Sequence, residues 1–285
     1  MNKKKEFKKK NNVSFPLILM HLSCFFVFLI PFKIELLLVF GFVYCLHVFT
    51  LTAGFHRYFS HNSFKTSRPF QFILGFLGTM AAQKDPLWWA SHHRLHHAHA
   101  DTELDPHSAR IKGFWWSHIG WVMKKNVCET RFDKINDFRK FPELIWLNKY
   151  AYLPPLLLAL FLYISGTLFN YFNPASDISG FSFLVYGFIL STVAVYHVTF
   201  SINSIAHKFG KKRFKNDDDS VNNWFLAILT GGEGWHNNHH RYAVCARQGF
   251  KWWEIDMTYY ILKLLERLKI VWDVREPPKS ILQEI

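Results

Sequence analysis

The sequence predicts an all-α membrane protein: four transmembrane helices, with a histidine-rich polar region gathered on one side of the bilayer. Three observations point there. Half of the 285 residues are hydrophobic and 18% are aromatic, with 30 Phe and 11 Trp, which is unlike an ordinary soluble domain. Four stretches of about bilayer length contain no Lys, Arg, Asp or Glu. Three clusters of histidine stand outside or at the ends of these stretches, two of them at helical spacing.

Residues 1–12 form a basic tail whose Lys3 to Lys10 run carries much of the net charge of +13. Beside an apolar segment such a run reads as an anchor against anionic lipid on the cytoplasmic side. No nucleic-acid-binding motif accompanies the charge, so nucleic acid is set aside as a partner. Val13 to Phe32 is the first uncharged span; no small-residue cleavage site follows it, which argues against a signal peptide. Leu36 to Phe55 is the second span and runs directly into His56.

Residues 56–149 read as the first polar, cytosolic section. Within it, Pro69 to Gln83 is apolar but too short to cross and is expected to be re-entrant or interfacial. Tyr150 to Phe172 and Gly180 to Ala206 are the third and fourth spans, filling residues 150–206. Residues 207–285 form the second polar section, in which Gly231-Gly232-Glu233-Gly234 reads as a flexible approach to the last histidine cluster. Trp252 to Trp272 alternates apolar and charged residues with helical periodicity and predicts an amphipathic surface helix.

Topology gives an independent check. With the basic N-terminus inside, four crossings put both polar sections and every histidine cluster on the cytoplasmic face, and both external connections are short. The four cysteines (Cys24, Cys45, Cys128, Cys245) form no CxxC and no disulfide framework, which fits a reducing compartment.

The clusters carry the chemistry. His93, His96 and His97 stand at i, i+3 and i+4, as do His236, His239 and His240, so each trio lies on one helix face. His56 and His61 add a pair five residues apart. His207 closes the fourth span as a ninth candidate, with Asn203 one turn earlier on the same face. Neutral imidazole ligates iron, zinc and copper. One metal takes four to six ligands, so nine imidazoles call for two metals. Two adjacent irons can use O2 and two electrons to attack an unactivated C–H bond. The same imidazole sites would accept zinc, so overproduced protein could carry it. His21, His47 and His197 lie in apolar spans and are expected to be packed and hydrogen-bonded. His92, His99, His107 and His118 are expected at the surface or behind the ligands, orienting them.

At these residues the chain resembles the membrane-bound fatty acid desaturases, the stearoyl-CoA and acyl-CoA Δ9 type, and its bacterial members most. The matching stretches are TAGFHRYFSH (52–61), WWASHHRLHHAHADTELDPH (88–107), GFWWSHIGW (113–121), NSIAH (203–207) and GEGWHNNHH (232–240). The resemblance implies a four-helix transmembrane stem under a cytosolic cap that holds a dinuclear iron centre. It carries the ligand role onto His56, His61, His93, His96, His97, His207, His236, His239 and His240, with Asn203 reaching one metal through water. It implies O2-dependent formation of a cis double bond, at Δ9, in a saturated chain carried as a thioester, on CoA ahead of acyl carrier protein, or in a lipid. A kinked apolar tunnel would hold that chain, with Trp88, Trp89, Phe200 and Trp235 as candidate lining residues.

Where the animal acyl-CoA enzymes have Asn, Arg and Asp before the second histidine box, this chain has Lys84, Ser91 and His92. Lys84, Arg110 and Lys112 remain candidates to pair with headgroup phosphates. No haem or iron–sulfur cysteine pattern is present, so electrons are expected from a ferredoxin or a cytochrome b5-like partner. Two other readings compete: a hydroxylase or ketolase of alkyl or carotenoid substrates on the same scaffold, and a metal transporter or sensor. Against the second, all clusters lie on one face and no polar series crosses the spans.

Overall fold

A computed structural model describes residues 14–124, 127 and 129–284. The basic tail, Val13 and Cys128 lie outside the described residues. The chain is mostly helical, with one two-stranded antiparallel sheet pairing Lys65 with Trp272 and Thr66 with Val271.

Helix α1 (Ser14–Ser23) continues as a 3₁₀ segment, Cys24–Leu29. Together they are shorter than the span read from Val13 to Phe32. Helix α2 (Ile34–Ser60) is one of three among the described residues long and apolar enough to cross a membrane. Its first part is α-helical to Phe49; from Thr50 to Ser60 it widens to π-helical turns. The Thr50 and Thr52 hydroxyls donate to the carbonyls of Leu46 and Val48, four residues back, at 2.9 and 2.8 Å. Such back-bonding competes with the helical ladder where the turns widen.

Helix α3 (Arg68–Thr79) is capped by Ser67 and packs across the π-helical part of α2. Gly78 there faces the Phe55 ring so closely that an added Cβ would collide with it. The segment read as re-entrant is therefore packed on protein along one face. Helix α4 (Pro86–His99) starts at Asp85, whose carboxylate accepts from Leu87 N and Trp88 N at 2.9 and 3.1 Å. Helix α5 (Pro142–Lys149) supplies Leu144 and Leu147 to the core that also holds Phe55, Phe59, Leu74 and Leu87.

Helices α6 (Leu153–Phe172) and α7 (Gly180–His207) are the other two apolar helices of spanning length. Helix α6 begins three residues later than the run of uncharged residues, because Pro154 and Pro155 occupy its first turn. Helix α7 starts on a capping box between Ser179 and Ser182. Two short helices follow, α8 (Trp224–Leu229) and α9 (His236–Arg241), and then α10 (Met257–Arg267). The amphipathic helix is thus shorter than the periodicity from Trp252 suggested. Asp256 fixes its start by accepting from Tyr259 N at 3.0 Å.

A buried ion cluster joins these parts. The fully buried Arg57 guanidinium reaches Glu233 through Nε and Nη2 at 3.1 and 2.9 Å, and Asp256 and the Ala246 carbonyl through Nη1 at 2.9 and 2.6 Å. This packing corrects the flexible reading of residues 231–234. Gly232 has φ +130°, and a Cβ there would strike Asp256 Oδ1; a Cβ on Gly234 would strike the backbone of Ala227. Arg57→Leu leaves two buried carboxylates without their cation. It should cost about 3–5 kcal/mol, read as a lower thermal unfolding midpoint in detergent; an unchanged midpoint would show that the cluster adds no net stability.

Candidate metal centre

Each histidine is aimed by the element that carries it. In the π-helical end of α2 the ladder runs five residues back, and His61 N donates to His56 O at 3.2 Å. That pitch brings two side chains five apart onto one face, with ring centroids 4.8 Å apart. Helix α4 presents His93, His96 and His97. Helix α9 presents His236, His239 and His240 from opposite. The two asparagines between them lock α9 in place. Asn237 Oδ1 accepts from Arg213 N and Phe214 N at 2.8 and 2.7 Å, and Asn238 Nδ2 donates to the Gln248 carbonyl at 2.8 Å. Their positions between histidines signalled only spacing in the sequence.

The nine histidines form two groups, each with ligand atoms within 4.8 Å of one another: His56, His61, His93, His97 and His239 in one, His96, His207, His236 and His240 in the other. In the first, Nε2 of His239 stands 3.0 Å from Nε2 of both His56 and His97, and His61 Nε2 stands 2.8 Å from His93 Nε2. In the second, Nε2 of His207 and His236 are 3.1 Å apart.

Four carboxylates decide what these contacts are. His96 Nδ1 donates to Asp105 at 3.0 Å, His207 Nδ1 to Asp101 at 2.9 Å, and His240 Nδ1 to Asp218 at 2.7 Å. His56 Nδ1 is paired with Glu233. A carboxylate accepts, so the ring proton sits on Nδ1 and Nε2 presents a bare lone pair. Three such lone pairs converge in the four-histidine group, and His56 turns one into the five-histidine group. Without a cation they repel; with one they become a ligand set. The residues therefore fit two metal ions. Glu233 and His236 have Glu-x-x-His spacing, yet Glu233 turns to His56 rather than into the group.

Electrostatics favour the ligating form. Burial, reinforced by neighbouring imidazoles, holds His61, His93, His97, His236 and His239 well below the ordinary imidazole range. Burial lowers His240 to about 4 against the pull of Asp218. Glu233 is lowered to about 2: burial pushes it up, but His56 and Arg57 together outweigh that.

The remaining candidates fall in several places. Asn203 lines the cavity beside His93, His96 and His236, and its carbonyl accepts from Ser117 Oγ at 2.7 Å. Trp89 lines the same cavity, with Val48, Leu51 and Thr52 of α2 and Val198, Thr199 and Ile202 of α7. These aliphatic and threonine positions carried no sequence signal beyond helix periodicity. Trp88, Phe200 and Trp235 stand outside that lining. Trp88 Nε1 donates to the Val127 carbonyl, Phe200 stacks on Tyr196, and Trp235 Nε1 donates to the Ile255 carbonyl. Arg110 pairs with Asp219, Lys112 Nζ donates to the Asp105 carbonyl at 3.3 Å, and Lys84 is half-buried at a positive φ.

Among the other histidines, His107 packs on His96 at 4.3 Å between centroids, and His92 bonds to the Trp88 carbonyl. His21, His197 and His118 join in a chain of ring–ring hydrogen bonds, 3.1 and 3.0 Å, ending on Ser204 Oγ. His47 departs from the expectation of a hydrogen-bonded core histidine: it is fully buried and neither ring nitrogen has a partner among the described residues.

Apolar helices of membrane-spanning length, joined by two buried imidazole clusters that fit metals, define a histidine-cluster membrane protein. The model of the fatty acid desaturase family matches residues 34–272, and the chain belongs to that family of oxidoreductases. An sn-1 stearoyl-lipid 9-desaturase of Anabaena variabilis is 40% identical over 233 residues, covering 81% of this chain and 80% of that one. An acyl-CoA C20 Delta5-desaturase of Anemone leveillei is 40% identical over 233 residues, 81% of this chain and 70% of the relative. An sn-2 palmitoyl-lipid 9-desaturase of a Nostoc species is 38% identical over 230 residues, 79% and 76%.

The clusters predict a pH dependence. An unfolded imidazole takes a proton near pH ~6.5, whereas His61, His93, His97, His236, His239 and His240 resist it to lower pH in the folded protein. The unfolded chain then binds more protons, so stability falls as pH drops below that value. Metal-stripped protein should lose thermal stability progressively from pH 6.5 to 5, a window above the titration of the backing carboxylates. A flat profile over that window would mean that the folded clusters accept protons freely.

Proposed function

We propose that this protein is an O2-dependent di-iron fatty acyl desaturase that places a cis double bond at Δ9 of a saturated chain, with the nine histidines as ligands and Asn203 acting through water. The observation that carries the reading is the gathering of nine imidazoles into groups of five and four, four of which, His56, His93, His96 and His236, line a cavity walled by apolar residues. The balance is a saturated chain, O2, two electrons and two protons giving an alkene and two waters. Two iron ions held in the clusters would supply the oxidising power for that chemistry.

The protein's own contribution is position and exclusion. Val48, Leu51, Val198 and Ile202 offer an apolar wall that holds an alkyl chain and keeps water from it. Trp89 stacks on His93 at 4.9 Å between centroids, fixing the ring on one side of the cavity. The carboxylates hold the Nδ1 protons of His56, His96, His207 and His240 and so keep those four Nε2 atoms aimed inward. No general base is required.

Of the possible carriers, a lipid-bound chain is better supported than acyl-CoA. Two of the three cations suited to CoA phosphates, Arg110 and Lys112, are engaged within the protein, and the relatives named 9-desaturases are stearoyl- and palmitoyl-lipid enzymes. We further propose a stem of four transmembrane helices with both polar sections and both termini cytoplasmic, so that the clusters face a cytosolic ferredoxin or cytochrome b5-like donor.

The test is gas chromatography–mass spectrometry, with double-bond location, of lipids from aerobic cells that lack an oxygen-dependent desaturase of their own and express this chain. Δ9 monounsaturated chains should appear in the glycerolipids and fall to background in His96→Ala and His239→Ala, which should still insert. A hydroxylated product would replace this reading with the hydroxylase. Retained activity in both variants would refute the ligand assignment.

A further inference from the structure

The two histidine groups differ in a way their ligand counts do not express. Behind the four-histidine group stand Asp101, Asp105 and Asp218, backing His207, His96 and His240. Among the described residues none of these carboxylates has a Lys or Arg partner. Their other contacts are the His107 ring, whose Nδ1 stands 3.6 Å from Asp105 Oδ1, and hydroxyl and backbone N–H donors: Ser108 Oγ and Asp219 N on Asp101, Asp101 N and His107 N on Asp105, Ser220 N on Asp218. Two lysines approach nearby, but Lys112 and Lys212 donate to the main-chain carbonyls of Asp105 and Asp218. Three negative charges therefore stand behind this site with no cation bound to their carboxylate oxygens; Arg110 acts on Asp101 and Asp218 only through space, from its pair with Asp219.

The five-histidine group has one backing carboxylate, Glu233 on His56, and that carboxylate is shared with the buried Arg57. Each group also holds one imidazole whose buried Nδ1 has no partner among the described residues, His239 here and His236 in the other, so the contrast lies in the carboxylates alone. The fifth imidazole of this group adds only a neutral donor, whereas each carboxylate with no directly bound cation both polarises its imidazole and attracts the metal ion. Charge outweighs ligand count.

We infer that the sites are unequal: the four-histidine site takes a divalent cation first and more tightly, and Asp101, Asp105 and Asp218 are the positioning residues that make it so. The inference rests on reading both groups as metal sites. The second cation then enters a site whose one backing carboxylate is already engaged by Arg57, against the charge of the first. Loss of a backing group changes metal affinity about 10–100-fold, so three against one should separate the two steps by about 100-fold or more.

The experiment is a Co2+ titration of the full-length, chelator-stripped protein in detergent, followed by visible absorption against a competing chelator of known affinity. Two steps are expected. Asp105→Asn and Asp218→Asn should each weaken the first by about 10–100-fold and leave the second in place, and Glu233→Gln should weaken only the second. Should those variants fold poorly, wild-type protein still decides: at one equivalent of Co2+, paramagnetic resonance should show an uncoupled single ion, with coupled pairs appearing only beyond it. Coupled pairs from the first addition, or a first step weakened by Glu233→Gln alone, would overturn the inference. Wild-type protein that binds no Co2+ at all would overturn the metal-centre reading along with it.

Discussion

Glu233 carries two obligations at once. One oxygen takes the Arg57 guanidinium and the other takes the Nδ1 proton of His56. Arg57 and His56 are neighbours on the π-helical end of α2, so a single carboxylate ties that segment to the loop preceding α9. Through Arg57 the tie extends to Asp256, which starts α10, and to the Ala246 carbonyl. A buried charge held by several partners resists displacement, because removing any one leaves the rest uncompensated in a low dielectric. The histidines of α2 and those of α9 are therefore held in register by the same contacts that dock the C-terminal section.

Glycine makes that register possible. The chain around Glu233 approaches both Asp256 and α8 more closely than any side chain permits, and Gly232 adopts a backbone angle that L-residues rarely take. The same economy appears on α3, where Gly78 leaves room for the Phe55 ring one residue before His56. A close approach on each side thus sets the height and rotation of the π-helical segment. Its wide pitch in turn converts a five-residue separation, which an α-helix would splay, into a facing pair.

The ligand candidates were legible in the sequence because imidazoles at i, i+3 and i+4 need only local geometry to share a face. His56 and His61 could be paired by proximity in sequence, but the π-helical pitch that aligns them leaves no residue pattern of its own. The carboxylates were not legible. Asp101 lies 106 residues from His207, and Asp218 lies 22 from His240, so nothing local links acid to base. Arg110 and Lys112 looked like free cations for the opposite reason: their partners, Asp219 and the Asp105 carbonyl, meet them only in the fold. Glycine-rich composition around Glu233 suggested mobility, whereas the glycines serve contact.

Exposed apolar side chains complete the picture. Leu38 and Phe42 on α2 and Leu156 and Phe161 on α6 face outward, as expected of helices of spanning length. Yet Trp224, Phe225 and Ile228 on α8, and Trp252, Met257 and Leu264 at and before α10, are also exposed, and they lie on elements too short to cross. Aromatic-rich apolar surface on short amphipathic elements suits the headgroup boundary of a bilayer. On the proposed reading this has a mechanical consequence. The cavity is walled by α2 and α7 near the ends where the histidines begin, so on that reading a long alkyl chain would come to the clusters from the hydrocarbon phase. The cost of exposing that chain to water, roughly 0.8 kcal/mol for each CH2, is then never incurred, and a substrate that is itself a membrane lipid needs no carrier to deliver it.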